Sequence, residues 1–202
     1  MLKKTHLAVG TAVSLCVLQP VNIRELLIGT GAAMLGSLIS DMDSDSSKTN
    51  KYMDRIVEVI ALLVITLVAF SVFREQNMLS WLLDDKIMSL NVIAFVLFFV
   101  ICAFGKEQPH RSFMHSLLGF FSLYGCVKVI YPIAAPYFGI AFLSHLMIDL
   151  LNRKGVRIFY PLKKGFCLGL CSASGLVNDL LLKIGLLVSL ATFGYHAIRL
   201  LL

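Results

Sequence analysis

His145 and Asp149 stand four residues apart in Ser144-His-Leu-Met-Ile-Asp149. On a helix this spacing puts both side chains on one face, where imidazole and carboxylate can hold one metal ion, or the carboxylate can orient the imidazole. A structural His–Asp hydrogen bond satisfies the same spacing. Asp149 falls in an apolar run, however, and an ionised group there costs about 2.5–3.5 kcal/mol on insertion scales, which makes a functional role the default hypothesis.

Pro109-His-Arg-Ser-Phe-Met-His115 contributes two more imidazoles. With Pro109 as the break and Ser112 as the N-cap, His110 is expected before a helix and His115 in its first turn. Arg111 between them is a planar cation suited to phosphate oxygens, and a helix N-terminus shares the preference for an anion. The competing reading makes Arg111 a membrane anchor and His110 an interfacial residue. Asp41 and Asp43 abut an apolar run, and two carboxylates one residue apart at a helix exit can ligate or bridge divalent ions. With Asp45 they imitate the opening of a calcium loop, but Ser46 stands where Gly is needed and Tyr52 where a bidentate Glu is needed, so that reading fails. Asp45 fits a solvated loop balanced by Lys48 and Lys51. His6, beside Lys3 and Lys4, is the least specific candidate and gains weight only from the convergence of the others. His196, with Tyr195 and Arg199, and Trp81 read as belt residues at the opposite interface.

The elements that must position these groups are membrane helices. Of 202 residues, 58% are hydrophobic and 15% charged, with a mean hydropathy of +0.84. That composition argues against a soluble enzyme, a disordered chain and a disulfide-stapled secreted domain. Apolar runs fall at Leu7–Leu18, Leu26–Ser40, Ile56–Phe73, Ile87–Phe104, Ser112–Ile130, Tyr137–Leu151 and Leu180–Leu202. Several approach the roughly 20 residues that cross a bilayer as a helix. The first, second and sixth are shorter and are expected to tilt, thin the membrane or be partly re-entrant. Gly29, Gly31, Ala32, Ala33 and Gly36 give the second run a surface for close helix contact. The expectation is an all-α polytopic transmembrane bundle of about five to seven membrane segments, some short or re-entrant, forming one domain over residues 1–202.

The net charge of +6 comes from 18 Lys+Arg against 12 Asp+Glu. With the N-terminus in the cytoplasm and alternating sides, 13 of the basic residues fall at the inner face and 5 at the other, a positive-inside bias. The surplus therefore reads as topology, and no nucleic-acid partner is expected. His6, Asp41, Asp43, His110, Arg111, His115, His145 and Asp149 all fall near the same, cytoplasmic interface. Five cysteines give no complete pairing framework, and Cys167 with Cys171 reads as two small hydrophobes able to meet on a helix face. The start imitates a signal peptide but lacks an A-x-A site, so it is expected to remain in the protein.

Together these residues resemble the YdjM-type family of membrane-bound metal-dependent hydrolases. The likeness rests on Thr5-His6-Leu7, on Asp41-Met-Asp43 where the family usually has Pro-Asp-x-Asp, on His110-Arg-Ser-Phe-Met-His115-Ser where it has His-Arg-x-x-Thr-His-Ser, and on Ser144-His-Leu-Met-Ile-Asp149 followed by Gly155 and Tyr160-Pro161. Ser40 replaces the usual Pro, Met114 the usual Thr, and Ser44 stands where some members carry a further His; Gly175 and Asp179 match a late Gly…Glu region weakly. The resemblance implies a helical metallohydrolase distantly similar to zinc-dependent phospholipase C and P1-type nucleases, hence phosphoester chemistry, with a phospholipid a natural substrate at that depth. The implied ligand set is His6, Asp41, Asp43, His110, His115, His145 and Asp149 around one or two divalent ions, Zn²⁺ before Mn²⁺ or Fe. Asp43 would take a proton from the nucleophilic water, and Arg111 would hold a phosphoryl oxygen. The alternative is a metal-ion transporter or metal-binding membrane protein without hydrolase activity, which needs polar residues at midplane and on both sides.

Overall fold

The computed structural model describes residues 1–43, 86–172 and 175–202. Among these the chain forms six α-helices and no strand: α1 (Lys3–Val17), α2 (Ile23–Ile39), α3 (Lys86–Lys106), α4 (Leu117–Ile130), α5 (Ala135–Leu150) and α6 (Leu176–Leu201). Two short 3-10 turns, Ser40–Asp43 and Phe113–His115, follow α2 and precede α4. The predicted run Ile56–Phe73, Ser44, Asp45 and Trp81 lie outside the described residues.

Among the described residues, three helices are long and apolar enough to cross a membrane, over Ile23–Asp43, Leu90–Glu107 and Leu176–Leu201. The second predicted run is thus longer than its apolar residues indicate, because Asn22 starts the helix early. Its side chain accepts from the Glu25 amide at 2.8 Å, while the Glu25 carboxylate accepts from the Val21 amide at 3.1 Å. The fifth run is shorter than expected. Ser116, rather than Ser112, caps α4 by accepting from the Gly119 amide at 3.0 Å, and Ser112 is spent on the Pro109 carbonyl. At 1.5 Å per residue, the 14 residues of α4 and 16 of α5 reach about 21–24 Å, short of a hydrocarbon core about 30 Å thick.

Small residues set the distance between α2 and α5. A Cβ on Gly36 would lie 2.3 Å from the Phe138 carbonyl oxygen and one on Gly29 would lie 2.7 Å from the Tyr137 ring, whereas Gly31 faces open space. Tyr137 then reaches past Gly29 to donate to Glu25 at 3.1 Å. Phe138, Phe142, Leu123 and Met114 form the buried apolar core beside this seam. The outward sides of α3 and α6 carry exposed Ile93, Leu97, Val100, Leu187 and Leu190, as lipid-facing helices do.

Two expectations are corrected. His196 is buried, and its Nε2 donates to the Leu15 carbonyl at 2.9 Å, tying α6 to α1 instead of sitting in an interfacial belt. Cys167 and Cys171 lie in the irregular α5–α6 connection and share no helix face; Cys171 is buried with its thiol 3.3 Å from the Leu151 carbonyl, and Cys167 is exposed. That connection is irregular yet anchored. Val156, fully buried, exchanges backbone hydrogen bonds with Phe166 at 2.8 and 2.9 Å, and Asn152 bridges to Cys171.

Candidate metal centre

The polar groups meet where helix ends meet. His6 lies in the first turns of α1, Asp41 and Asp43 on the turn that ends α2, His115 on the turn that precedes α4, and His145 and Asp149 in the last turns of α5. All six are buried. Helix termini suit this purpose because their last carbonyls lack helical partners. The Ser37 carbonyl near the end of α2 illustrates the point: His145 Nδ1 lies 2.7 Å from it. A carbonyl only accepts, so Nδ1 carries the proton and Nε2 of His145 presents its lone pair to the interior.

Around that lone pair, His115 Nε2 lies at 3.3 Å, Asp41 Oδ1 at 3.8 Å and Asp149 Oδ2 at 3.9 Å. His115 Nε2 is also 3.7 Å from Asp41 Oδ1 and 3.4 Å from Asp149 Oδ2. His6 Nε2 lies 3.3 Å from Asp149 Oδ1, with its ring stacked on His145 at 3.8 Å between centroids. Two sets of three residues bring one donor atom each within 4.8 Å of one another here, His6 with His145 and Asp149, and Asp41 with His115 and His145.

The donors fit a divalent ion on two counts. Ligand atoms about 2.0–2.1 Å from one tetrahedral ion lie about 3.3–3.4 Å apart, and His115–His145, His6–Asp149 and His115–Asp149 show that separation. His6 is buried, its Nδ1 has no partner, and its Nε2 makes no well-directed hydrogen bond beyond the 3.3 Å approach to Asp149 Oδ1. Burial alone would push the His115 imidazole down, but Asp149, Asp41 and Asp43 around it hold its pKa well above the usual histidine range. Positive charge is favoured at this point, whether a proton or a metal ion brings it.

A third set, Asp43, His110 and His115, adjoins the first two. His110 Nδ1 lies 2.6 Å from Asp43 Oδ1; Asp43 Oδ2 accepts from the Arg111 amide at 3.0 Å and is 3.3 Å from His115 Nδ1. Both oxygens of Asp43 are thus engaged. His110 is the exposed member, its side chain 45% accessible. Arg111 adopts a left-handed backbone with φ 65°, which points its amide at Asp43 while its guanidinium donates to the Lys154 carbonyl at 2.6 Å and reaches Asp149 at 3.4 Å. The Met1 amine is 2.9 Å from Asp149 as well.

Asn178 is a contributor that sequence reasoning missed. Fully buried in the first turn of α6, it accepts through Oδ1 from the Thr5 hydroxyl at 2.9 Å and the Leu2 amide at 3.2 Å, fixing the start of α1 and with it His6. An amide in the opening turn of a membrane helix was the available signal. Asp179, next to it, is exposed and stands outside the centre. Met114, where the resemblance leads one to expect Thr, is buried against Gly105 rather than directed at the ligands.

These features define an integral membrane protein, an all-helical bundle with a His/Asp cluster competent to hold metal at one end. The family model of the YdjM inner membrane protein matches residues 1–202, and the chain belongs to that family. No curated protein and no solved structure matches it.

Proposed function

We propose that this chain is a membrane-bound, metal-dependent hydrolase that cleaves a phosphoester at the cytoplasmic face. The observation that carries the reading is the convergence of His6, Asp41, His115, His145 and Asp149 from four separate elements onto one buried point at one end of the bundle. Those five form two three-donor sets that share His145, either of which would hold an ion and leave a position for water, with the mixed nitrogen and oxygen donors favouring Zn²⁺ over Mn²⁺ or Fe. The adjoining set of Asp43, His110 and His115 is assigned to proton handling rather than to a second ion. Bound there, a divalent ion supplies Lewis acidity and makes water a usable nucleophile near neutral pH.

The remaining groups divide the proton and phosphate work. With both oxygens of Asp43 occupied, Asp43 acts through His110: it orients the ring at Nδ1, while His110, at the exposed mouth, receives the proton at Nε2. This moves the proton acceptor from Asp43 to the residue it holds. Arg111 keeps an unpartnered Nε–H and would donate to a phosphoryl oxygen as charge develops.

Elemental analysis of the purified protein, combined with a phosphoester and phospholipid screen, tests the proposal. Metal and hydrolysis should both disappear in the His145→Ala/Asp149→Ala variant; an active, folded, metal-free wild type would sink it. Metal uptake into proteoliposomes that is lost in His115→Ala, without phosphoesterase activity, would establish the transport reading instead.

A further inference from the structure

The connection between α5 and α6 has a surface that neither the ligand set nor the core accounts for. Residues 151–172 contain Arg153, Lys154, Arg157, Lys163 and Lys164 and no acidic residue. Interleaved with them, Phe159, Leu162, Leu168 and Leu170 are 51–72% exposed. Disorder does not explain that exposure. The segment is pinned by the Val156–Phe166 pair, by the Leu117 amide donating to the Ile158 carbonyl at 2.9 Å, and by the Leu168 amide donating to the Leu150 carbonyl at 2.7 Å. A rigid loop that turns large apolar side chains and only cations outward matches a headgroup layer with anionic phosphates above an acyl boundary.

Its position gives the surface a consequence. The Arg111 carbonyl accepts from the Arg157 amide at 3.0 Å, and the Lys154 carbonyl accepts from the Arg111 guanidinium at 2.6 Å. The collar and the mouth of the centre are therefore one hydrogen-bonded unit, and the exposed His110, next to Arg111 in the chain, bonds to Asp43.

We propose that residues 153–170 form a collar that lies in the headgroup layer, binds anionic phospholipid selectively, and presents its phosphate at the mouth of the His/Asp centre. The naming of that lipid as substrate rests on the phosphoesterase reading; the selective binding does not.

The test reconstitutes the full-length protein in vesicles of phosphatidylcholine and measures contact of spin-labelled phosphatidylglycerol against spin-labelled phosphatidylcholine. Phosphatidylglycerol should be retained several-fold more than phosphatidylcholine by the wild type. Lys163→Gln/Lys164→Gln should lose most of that preference, while Lys128→Gln, exposed at the other end of the bundle, should keep it. No preference in the wild type, or one that survives in the double variant, would overturn the collar. A parallel arm offers the metal-loaded protein a soluble aryl phosphate and phosphatidylglycerol vesicles. Faster turnover of the vesicle lipid that drops in the double variant, with aryl phosphate turnover unchanged, supports lipid presentation. Aryl phosphate turnover with no lipid cleavage overturns it, and absence of any turnover alongside intact lipid preference removes the phosphoesterase reading while the collar stands.

Discussion

His115 and His145 face one another through their Nε2 atoms at 3.3 Å, and the far nitrogen of His145 is committed to the Ser37 carbonyl at 2.7 Å. Two imidazole nitrogens so placed need a cation between or beside them, a proton or a metal ion, and the surrounding carboxylates favour either. The wild type should therefore retain divalent metal through purification, and His145→Ala or His115→Ala should weaken metal retention by at least about tenfold, since even groups that only support a ligand contribute 10–100-fold. Inductively coupled plasma analysis after dialysis against a mild chelator checks this. Equal metal content in wild type and both variants would contradict it.

Asp43 supports a partner on each oxygen, His110 on Oδ1 and the Arg111 amide with His115 on Oδ2. Asp43→Asn keeps the shape but leaves one acceptor where two were needed, so the contact with His110 or with the Arg111 amide fails. We expect metal affinity to fall by about 10–100-fold with helical content unchanged. Competition titration against a chromogenic chelator, run beside circular dichroism, separates loss of affinity from loss of fold.

Gly36 and Gly31 lie on the same helix but face different surroundings. Helix propensity alone favours Ala over Gly by about 0.8–1 kcal/mol. At Gly36 a methyl group would meet the Phe138 carbonyl oxygen, and overpacking of that kind costs about 1–3 kcal/mol. Gly36→Ala should lower the thermal midpoint in detergent, and Gly31→Ala should leave it unchanged or raise it. The same response from both variants would refute the α2–α5 seam.

Asn178→Ala leaves the Thr5 hydroxyl and Leu2 amide without their acceptor, at a cost of about 1–3 kcal/mol for buried groups. Because those groups fix the start of α1, metal affinity should fall together with the thermal midpoint, but by less than in His145→Ala. Asn178→Asp retains an acceptor oxygen and should recover part of the affinity. A midpoint shift with no change in metal affinity would restrict Asn178 to a packing role.

Cys167 is exposed at the end of the bundle that carries the centre. In a variant with the other four cysteines replaced by Ser or Ala, an impermeant maleimide should label Cys167 in inverted membrane vesicles and not in intact spheroplasts. The opposite pattern would place the centre on the other side.

The candidate ligands were more legible in the sequence than the groups that hold them. His145 and Asp149 were legible because a carboxylate in an apolar helix is costly enough to need a reason, and Asp41 and Asp43 because they abut an apolar run. His6 was legible only through the company of the others. The Ser37 carbonyl was invisible, since a backbone oxygen carries no mark in the sequence and becomes available only where a helix ends. The cap of α4 was misplaced by four residues because Ser112 and Ser116 have the same chemistry, and only the 3-10 turn between them decides which one meets a free amide. Tyr195 and Arg199 beside His196 point to an interface, but the ring is buried and bonds to the Leu15 carbonyl.

The left-handed backbone at Arg111 joins three parts that the sequence keeps far apart: its amide holds Asp43, its guanidinium reaches Asp149, and its carbonyl carries Arg157 of the collar. A small rotation at this one residue would move two carboxylates and a membrane-facing loop together. On the function proposed above, the seating of that loop in the bilayer would bear on the geometry of the centre, and the surrounding lipid would be an input to its chemistry as well as its solvent.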